Sequence, residues 1–247
     1  MRRASFSPAI ILLIAGCAAP LPANPPTGVA ARVEAPVLAT GASWAYRAHD
    51  GYTKLDRGSY RETVVGTEVQ VLTVRVSHDA AAEQIHRYTR DGNWIEKPLT
   101  NLQNFRYEPP FPALPFPLEA GKQWRARVRA TDPATGRVNT VLIHGDVLGW
   151  ERVQVPAGEF DTLKIRRIVY AGNAEFFRGE ENIFEYDWYA PALGLVVKRS
   201  TSSEHFDRSQ SCDDGHVSLN CQRIRGDWIV SELASYERSA APQPGIQ

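Results

Sequence analysis

Six histidines, a carboxylate-rich run and a pair of cysteines are the residues of this 247-residue chain whose types could carry chemistry. The histidines are His49, His78, His86, His144, His205 and His216. None stands two or four residues from another, the spacing at which two imidazoles on one strand or helix face share a metal ion. Each lies beside a turn or in an alternating pattern, where a solvated or hydrogen-bonded imidazole is the ordinary outcome. His78 beside Asp79, and His205 near Asp207, would orient an imidazole, but no Gly-x-Ser-x-Gly elbow accompanies them. A hydrolase assembled from dispersed Ser and His stays open as an alternative. The carboxylates Glu180, Glu181, Glu185 and Asp187 precede Trp188 and Tyr189. On a strand, Glu181, Ile183, Glu185 and Asp187 share one face, while Phe184, Tyr186 and Trp188 share the other. The expectation is a soluble outer face over an aromatic inner one, its acids paired across strands with Lys198, Lys164 or Arg166. Two such carboxylates would also suit glycoside chemistry, which needs an acid and a base several ångströms apart. No Gly-rich phosphate loop or calcium loop is present, and no catalytic residue, metal or cofactor is expected.

Basic and acidic side chains balance at 28 each. Without residues 1–16, which hold Arg2 and Arg3, 26 bases face 28 acids, a net charge of −2. That balance argues against nucleic acid as a partner, because phosphate binding needs a basic face. Met1-Arg2-Arg3 and the apolar run Ile10 to Ile14 form a signal peptide over 1–16, too short to span a bilayer as a helix. Its end, Ile14-Ala15-Gly16-Cys17, is similar to the bacterial lipoprotein box. That resemblance implies a diacylated Cys17 as the mature N-terminus, with the lipid anchor holding the protein on a membrane. Ala18 rather than Asp after the Cys favours sorting to the outer membrane, facing the periplasm. An ordinary secretory signal with an incidental Cys is the alternative. On that oxidising side of the membrane, Cys212 and Cys221 are expected to close a disulfide across a short polar loop. The other reading is a metal site using both thiolates, His216 and Asp213 or Asp214, although the spacing is unlike a zinc knuckle.

The elements that position these residues are strands. Residues 17–36 are rich in Ala and Pro and read as a flexible tether. From Gly41 onward, short alternating runs are separated by turn signals. Asp50-Gly51 and Asp91-Gly92 suit two-residue type I′ hairpins, and Asp132 to Gly136 and Val155 to Gly158 are further turns. Strands are expected over Val69 to Val76, Val138 to His144, Val147 to Val155, Phe160 to Tyr170, Ile183 to Tyr189 and Leu195 to Thr201. In the tail, Ile229, Leu233 and Tyr236 would also suit a helix face. The class is all-β and antiparallel, a closed barrel or a sandwich, in one domain over 37–239, with a disordered tail at 240–247.

An internal echo runs through the chain. Gly41-Ala-Ser-Trp44 matches Gly121-Lys-Gln-Trp124, and Val69-Gln-Val71 matches Val153-Gln-Val155. Leu72 to Arg75 resembles Leu163 to Arg166, and Tyr88 and Lys97 match Tyr189 and Lys198. Two duplicated halves, 37–107 and 119–201, are one explanation. Any two antiparallel meanders sharing a few residues are the other. Between the halves, Tyr107 to Leu118 holds five prolines, which argue against a helix and a central strand. There Phe111, Leu114, Phe116 and Leu118 would cover an apolar edge or a barrel mouth.

Val153-Gln-Val-Pro-Ala-Gly-Glu-Phe-Asp-Thr-Leu-Lys-Ile165, Trp188-Tyr-Ala-Pro-Ala-Leu-Gly-Leu-Val-Val-Lys198 and Pro117 to Trp124 resemble a known group. It comprises β-rich bacterial envelope proteins, many of them lipoproteins, in domains of unknown function. The likeness covers about residues 115–200 and implies architecture and export but no reaction. The expected function is therefore that of a non-enzymatic outer-membrane lipoprotein. It would bind an apolar or amphipathic ligand in a cavity, or an envelope protein on its surface; no ligand-binding residue is assigned. The alternatives are a structural or assembly accessory with a filled core, and an envelope hydrolase. A continuous cavity favours the first, a filled core with an exposed apolar patch the second, and a buried titratable cluster the third.

Overall fold

A computed structural model describes residues 21–79, 82–99, 104–172, 178–207 and 223–238. The signal peptide, Cys17, Cys212, Asp213, Asp214, His216, Cys221 and the 240–247 tail lie outside the described residues. The strands are β1 (Ser43–Asp50), β2 (Asp56–Thr67), β3 (Val71–His78), β4 (Gln84–Thr89), β5 (Trp94–Pro98) and β6 (Asn104–Phe111). There follow β7 (Gln123–Thr131), β8 (Val138–Val155), β9 (Gly158–Gly172), β10 (Arg178–Ala190), β11 (Leu195–Asp207) and β12 (Arg223–Glu237). Each pairs antiparallel with its sequence neighbour, and β1 pairs with β12, so the sheet closes as a twelve-stranded barrel. Among the described residues, closure gives every strand a neighbour on both sides.

Several expected elements change. The tail is strand β12 and not a helix, with Ile229, Ser231 and Leu233 turned inward and Tyr236 opposite Trp44. The two strands expected over 138–155 are one, β8, bent by a register shift between Val147 and Gly149. Gly149 (φ +140°) lies so close to the Leu21-Pro22 segment that a Cβ there would stand 2.7 Å from the Pro22 carbonyl oxygen. The Asp50 and Asp91 turns are present but are not type I′. Asp50 instead folds a longer loop, its carboxylate accepting the N–H groups of Tyr52 and Thr53 while Asp50 N–H bonds to Leu55 C=O.

The β7–β8 loop repeats that device. Asp132 N–H bonds to Arg137 C=O, Gly136 N–H to Asp132 C=O, and Ala134 N–H to the Asp132 carboxylate. The entry turns match as well: Gly41 N–H bonds to Val64 C=O and Gly121 N–H to Val147 C=O, both glycines having φ near +90°. The echoed sequences thus begin β1 and β7, which head two runs of six strands.

Connections in an up-and-down barrel alternate between its two ends. The end holding the β6–β7 connection is plugged. Phe111 stacks on Trp94 with ring centroids 4.3 Å apart, and Phe111, Ala113 and Leu118 are buried. Leu118 and Val33 exchange backbone hydrogen bonds of 2.8 Å, so the stretch before β1 lies against the plug. Lys122 Nζ ties the plug down by donating to the carbonyls of Pro115 and Pro117. Contrary to expectation, the prolines do not end β6 at Tyr107. The strand runs through Pro109 and Pro110 to Phe111, because its ladder with β7 stops at Glu108 and asks no donor of them.

Outside, Arg47, Arg125, Arg127 and Arg129 stand exposed near mid-strand. An arginine facing the middle of a bilayer costs about 2–4 kcal/mol, so this outer face belongs in water. On the inner face, Gly145 lies under the Trp124 indole, whose Nε1–H donates to Pro112 C=O at 3.1 Å. A Cβ at Gly145 would sit 2.1 Å from that ring. Gly145→Ala is therefore expected to push Trp124 off the plug at a cost of about 1–3 kcal/mol. At about 2–4 °C per kcal/mol, thermal unfolding should begin several degrees lower; an unchanged midpoint would contradict this packing.

Candidate functional site

Strand β9 turns Leu163, Ile165, Arg167, Val169 and Ala171 inward, all fully buried. One cation interrupts that apolar series. The registers set Glu185 of β10 opposite Arg167 and Asp187 of β10 opposite Arg199 of β11. Arg167 Nε donates to Glu185 Oε2 at 2.7 Å, one terminal nitrogen to Asp187 Oδ2 at 2.7 Å and the other to Ala113 C=O at 2.9 Å. Arg199 Nε donates to Asp187 Oδ1 at 2.8 Å. The result is a layer of two guanidinium groups and two carboxylates across the barrel, resting on the plug.

Here the expected faces of β10 are reversed. Glu181, Ile183, Glu185 and Asp187 are the buried inner face. Phe184, Tyr186 and Trp188 point outward, and Trp188 is covered by Lys164 and Lys198 at 4.7 and 5.6 Å from its ring. The expected ion-pair partners are replaced too. Lys164 pairs with Glu151, Arg166 with Asp146 and Lys198 with Glu232, leaving Arg167 and Arg199 to the acids of β10. Aromatic rings tolerate a half-exposed face, whereas a buried guanidinium needs its counter-charges in the same dry layer.

A cavity of about 420 Å³ stands on this layer, in the size range of small-molecule sites. Its wall includes Tyr60 and Glu62 (β2), Val76 and His78 (β3), His86 (β4), Trp94 and Lys97 (β5), and Ile183 and Glu185 (β10). Arg199 and Thr201 of β11 and Ile229 and Ser231 of β12 complete it. It reaches solvent beside exposed Arg57 and Asp227, away from the plug. Trp94 joins both regions, stacking on Phe111 of the plug and contributing to the cavity wall.

Titration here follows burial. Burial opposes ionisation of Asp187, yet the charges and hydrogen bonds of Arg167 and Arg199 hold its carboxyl well below the ordinary range. Burial and then Arg199 pull the Lys97 ammonium down to about 8, and its Nζ lies 4.3 Å from the Trp94 ring centroid. His86 is pulled down to about 3 by burial and by Lys97, Arg199 and His78. Burial first and then Glu62 push Tyr60 up to about 12 and raise Tyr88. Both β10 carboxylates are hydrogen-bonded to one guanidinium, which leaves neither arranged as a proton donor to substrate.

Of the histidines read from sequence, His78 and His86 line the cavity. His49 and His205 lie on β1 and β11, and His144 packs edge-on against Tyr170. Asp79 is bonded by Ser59 and does not form a dyad with His78. Among the described residues, no group of three or more His, Cys, Asp or Glu is arranged to hold a metal ion. The residues missed in the sequence are Arg167, Arg199, Lys97, Glu62 and Tyr60. Their one signal is parity: Arg167 occupies an apolar-phase position between Ile165 and Val169.

No protein-family profile matches the chain, and no curated protein sequence is significantly similar to it. Among solved structures, a protein from Bacteroides fragilis named as exported and as having a YmcC-like fold is similar at 13% identity. The match has a TM-score of 0.44 and covers 84% of this chain and 100% of that one. A protein from Parabacteroides distasonis named as a lipoprotein matches at 12% identity and TM-score 0.42, over 85% of this chain and 100% of that one. The hypothetical lipoprotein YmcC from Escherichia coli (K12) matches at 12% and 0.42, over 84% and 88%.

The neutral state of His86 has a measurable consequence. Its native pKa is near 3 against 6.5 in an unfolded chain, so between those values the unfolded state binds more protons. Stability from this group is full above pH 6.5 and is lost as pH falls toward 3. Between pH 7 and 4.5 that loss amounts to about 2 kcal/mol. Thermal unfolding of the His86→Gln variant is expected to fall less over this interval than the wild type, and parallel curves would contradict the assignment.

Proposed function

We propose that this chain is a non-enzymatic lipoprotein of the cell envelope, anchored through Cys17 to the outer membrane and facing the periplasm, that holds a small ligand inside its barrel. The observation that carries the reading is the cavity of about 420 Å³, open beside Arg57 and Asp227 and floored by the Arg167 ion layer. A cavity closed below and open above is what a carrier or sensor needs, and a purely structural accessory has no use for one.

The wall also chooses among ligands. Val76, Trp94, Ile183 and Ile229 offer apolar surface, while Glu62, Lys97 and Arg199 offer charge. A wholly apolar ligand would strand those charges without water, so the wall favours the amphipathic half of the sequence expectation. A buried titratable cluster is present as well, the feature that would point to a hydrolase. The bonding of Glu185 and Asp187 supports the binding reading instead, because both carboxylates serve the floor.

The experiment is the native mass of residues 18–247 purified from a periplasm, a segment that contains every described residue. A stoichiometric mass excess, released by organic extraction and reduced in the cavity-narrowing Thr201→Trp variant, is the expected result. A bare mass in both proteins would contradict the carrier role.

A further inference from the structure

The charges on the cavity wall sort into those already paired and those left over. Arg57 is bonded to Asp50 at 2.6 Å, Glu185 to Arg167 and Arg199 to Asp187. Asp227 is exposed at the mouth. Two wall charges remain. Lys97 makes no ion pair, and Glu62 accepts a single hydrogen bond, from Trp44 Nε1 at 2.6 Å. Among the described residues no opposite charge stands within 4.0 Å of either.

These two groups stand on different strands of the cavity wall, and the charge of Glu62 reaches Lys97 and Arg199 across it. Glu62 lies with Tyr60, which stacks on Tyr46 at 5.0 Å, and its charge acts on Tyr46, Tyr60 and Tyr88 alike. A carboxylate among aromatic rings suits an organic ammonium group, which both attract. Lys97 feels the charge of Arg199, whose two terminal nitrogens make no hydrogen bond among the described residues. Two cations with free donors suit a carboxylate or a phosphate. Glu62 and Lys97 belong to β2 and β5, three strand spacings apart, about 14 Å along the curved wall before both side chains reach inward.

We infer that the cavity recognises a zwitterion, its acid group held by Lys97 and Arg199 and its ammonium group by Glu62 and the surrounding tyrosines. This assignment rests on the carrier reading and names its ligand class. The charge balance favours this class over the simpler ones. A ligand with one charge would touch only Glu62 or only Lys97, whereas a zwitterion meets both directly and adds no net charge. The ligand could be a free amino compound or the head group of a lipid, since both present the same pair of charges.

The test is calorimetric titration of residues 18–247 with 4-aminobutanoate, 6-aminohexanoate and 8-aminooctanoate, compared with hexanoate and hexylamine. At least one amino acid of the series is expected to bind ten-fold or more tightly than both single-charge compounds. Lys97→Met should abolish its advantage over hexylamine, and Glu62→Gln its advantage over hexanoate, with unfolding midpoints confirming that both variants fold. Glycerophosphoethanolamine, titrated in the same way and binding ten-fold or more tightly than every amino acid of the series, would keep the zwitterion and make a lipid head group its source. Hexanoate or hexylamine binding as tightly as every zwitterion tested would overturn the zwitterion while leaving the carrier standing. Binding by none of these compounds would also overturn it, and the native mass decides separately whether the cavity is empty.

Discussion

Arg167 is the constraint around which the barrel is organised. A fully buried guanidinium is tolerable only if its donors are met, and here three acceptors, two on β10 and one in the plug, meet them. Glu185 and Asp187 fix the register of β10 against β9, Asp187 recruits Arg199 from β11, and Ala113 C=O fixes the plug. Loss of Arg167 would leave two carboxylates in a dry layer, and removal of one partner from a buried network typically costs about 3–5 kcal/mol. An apolar layer of the same volume would hold the barrel shut at least as well. What an ion layer adds is a polar floor, and with it a polar cavity above.

That division explains the two ends. Below the layer lie the Trp94–Phe111 stack, Ala113 and Leu118, sealed by the stretch around Val33. Above it lie Lys97, Glu62, His86 and the tyrosines, with a path to solvent past Arg57 and Asp227. The proline-rich segment is therefore a plug under the site and not a lid over its mouth. Its prolines suit that role, since the segment needs stiffness and few backbone donors, and Lys122 takes up the carbonyls of Pro115 and Pro117.

How much was legible in the sequence follows from what each signal measures. Alternation along Phe160 to Tyr170 and the turn glycines announce strands, and the all-β antiparallel class follows from them. The echo at Trp44 and Trp124 marks the starts of β1 and β7, because the same Gly turn opens each run of six strands. The face of β10 could not be read the same way. Hydrophobicity places Phe184, Tyr186 and Trp188 inside, and only knowledge that Arg167 faces the interior sends Glu185 and Asp187 there. That fact is a cross-strand pairing, invisible to any window along one strand. For β12, Ile229, Leu233 and Tyr236 fit a helix face as well as a bulged strand, and pairing with β1 and β11 decides between them.

The central claim is that Arg167 is locked in a dry layer between plug and cavity. Nitrogen-15 NMR of the arginine Nε–H groups tests it, with Arg167→Lys identifying the resonance. A locked guanidinium should give an Nε–H signal that survives to about pH 9, with slow solvent exchange and hindered rotation of its terminal nitrogens. A signal that exchanges and averages like those of the exposed Arg125 and Arg127 would contradict the account.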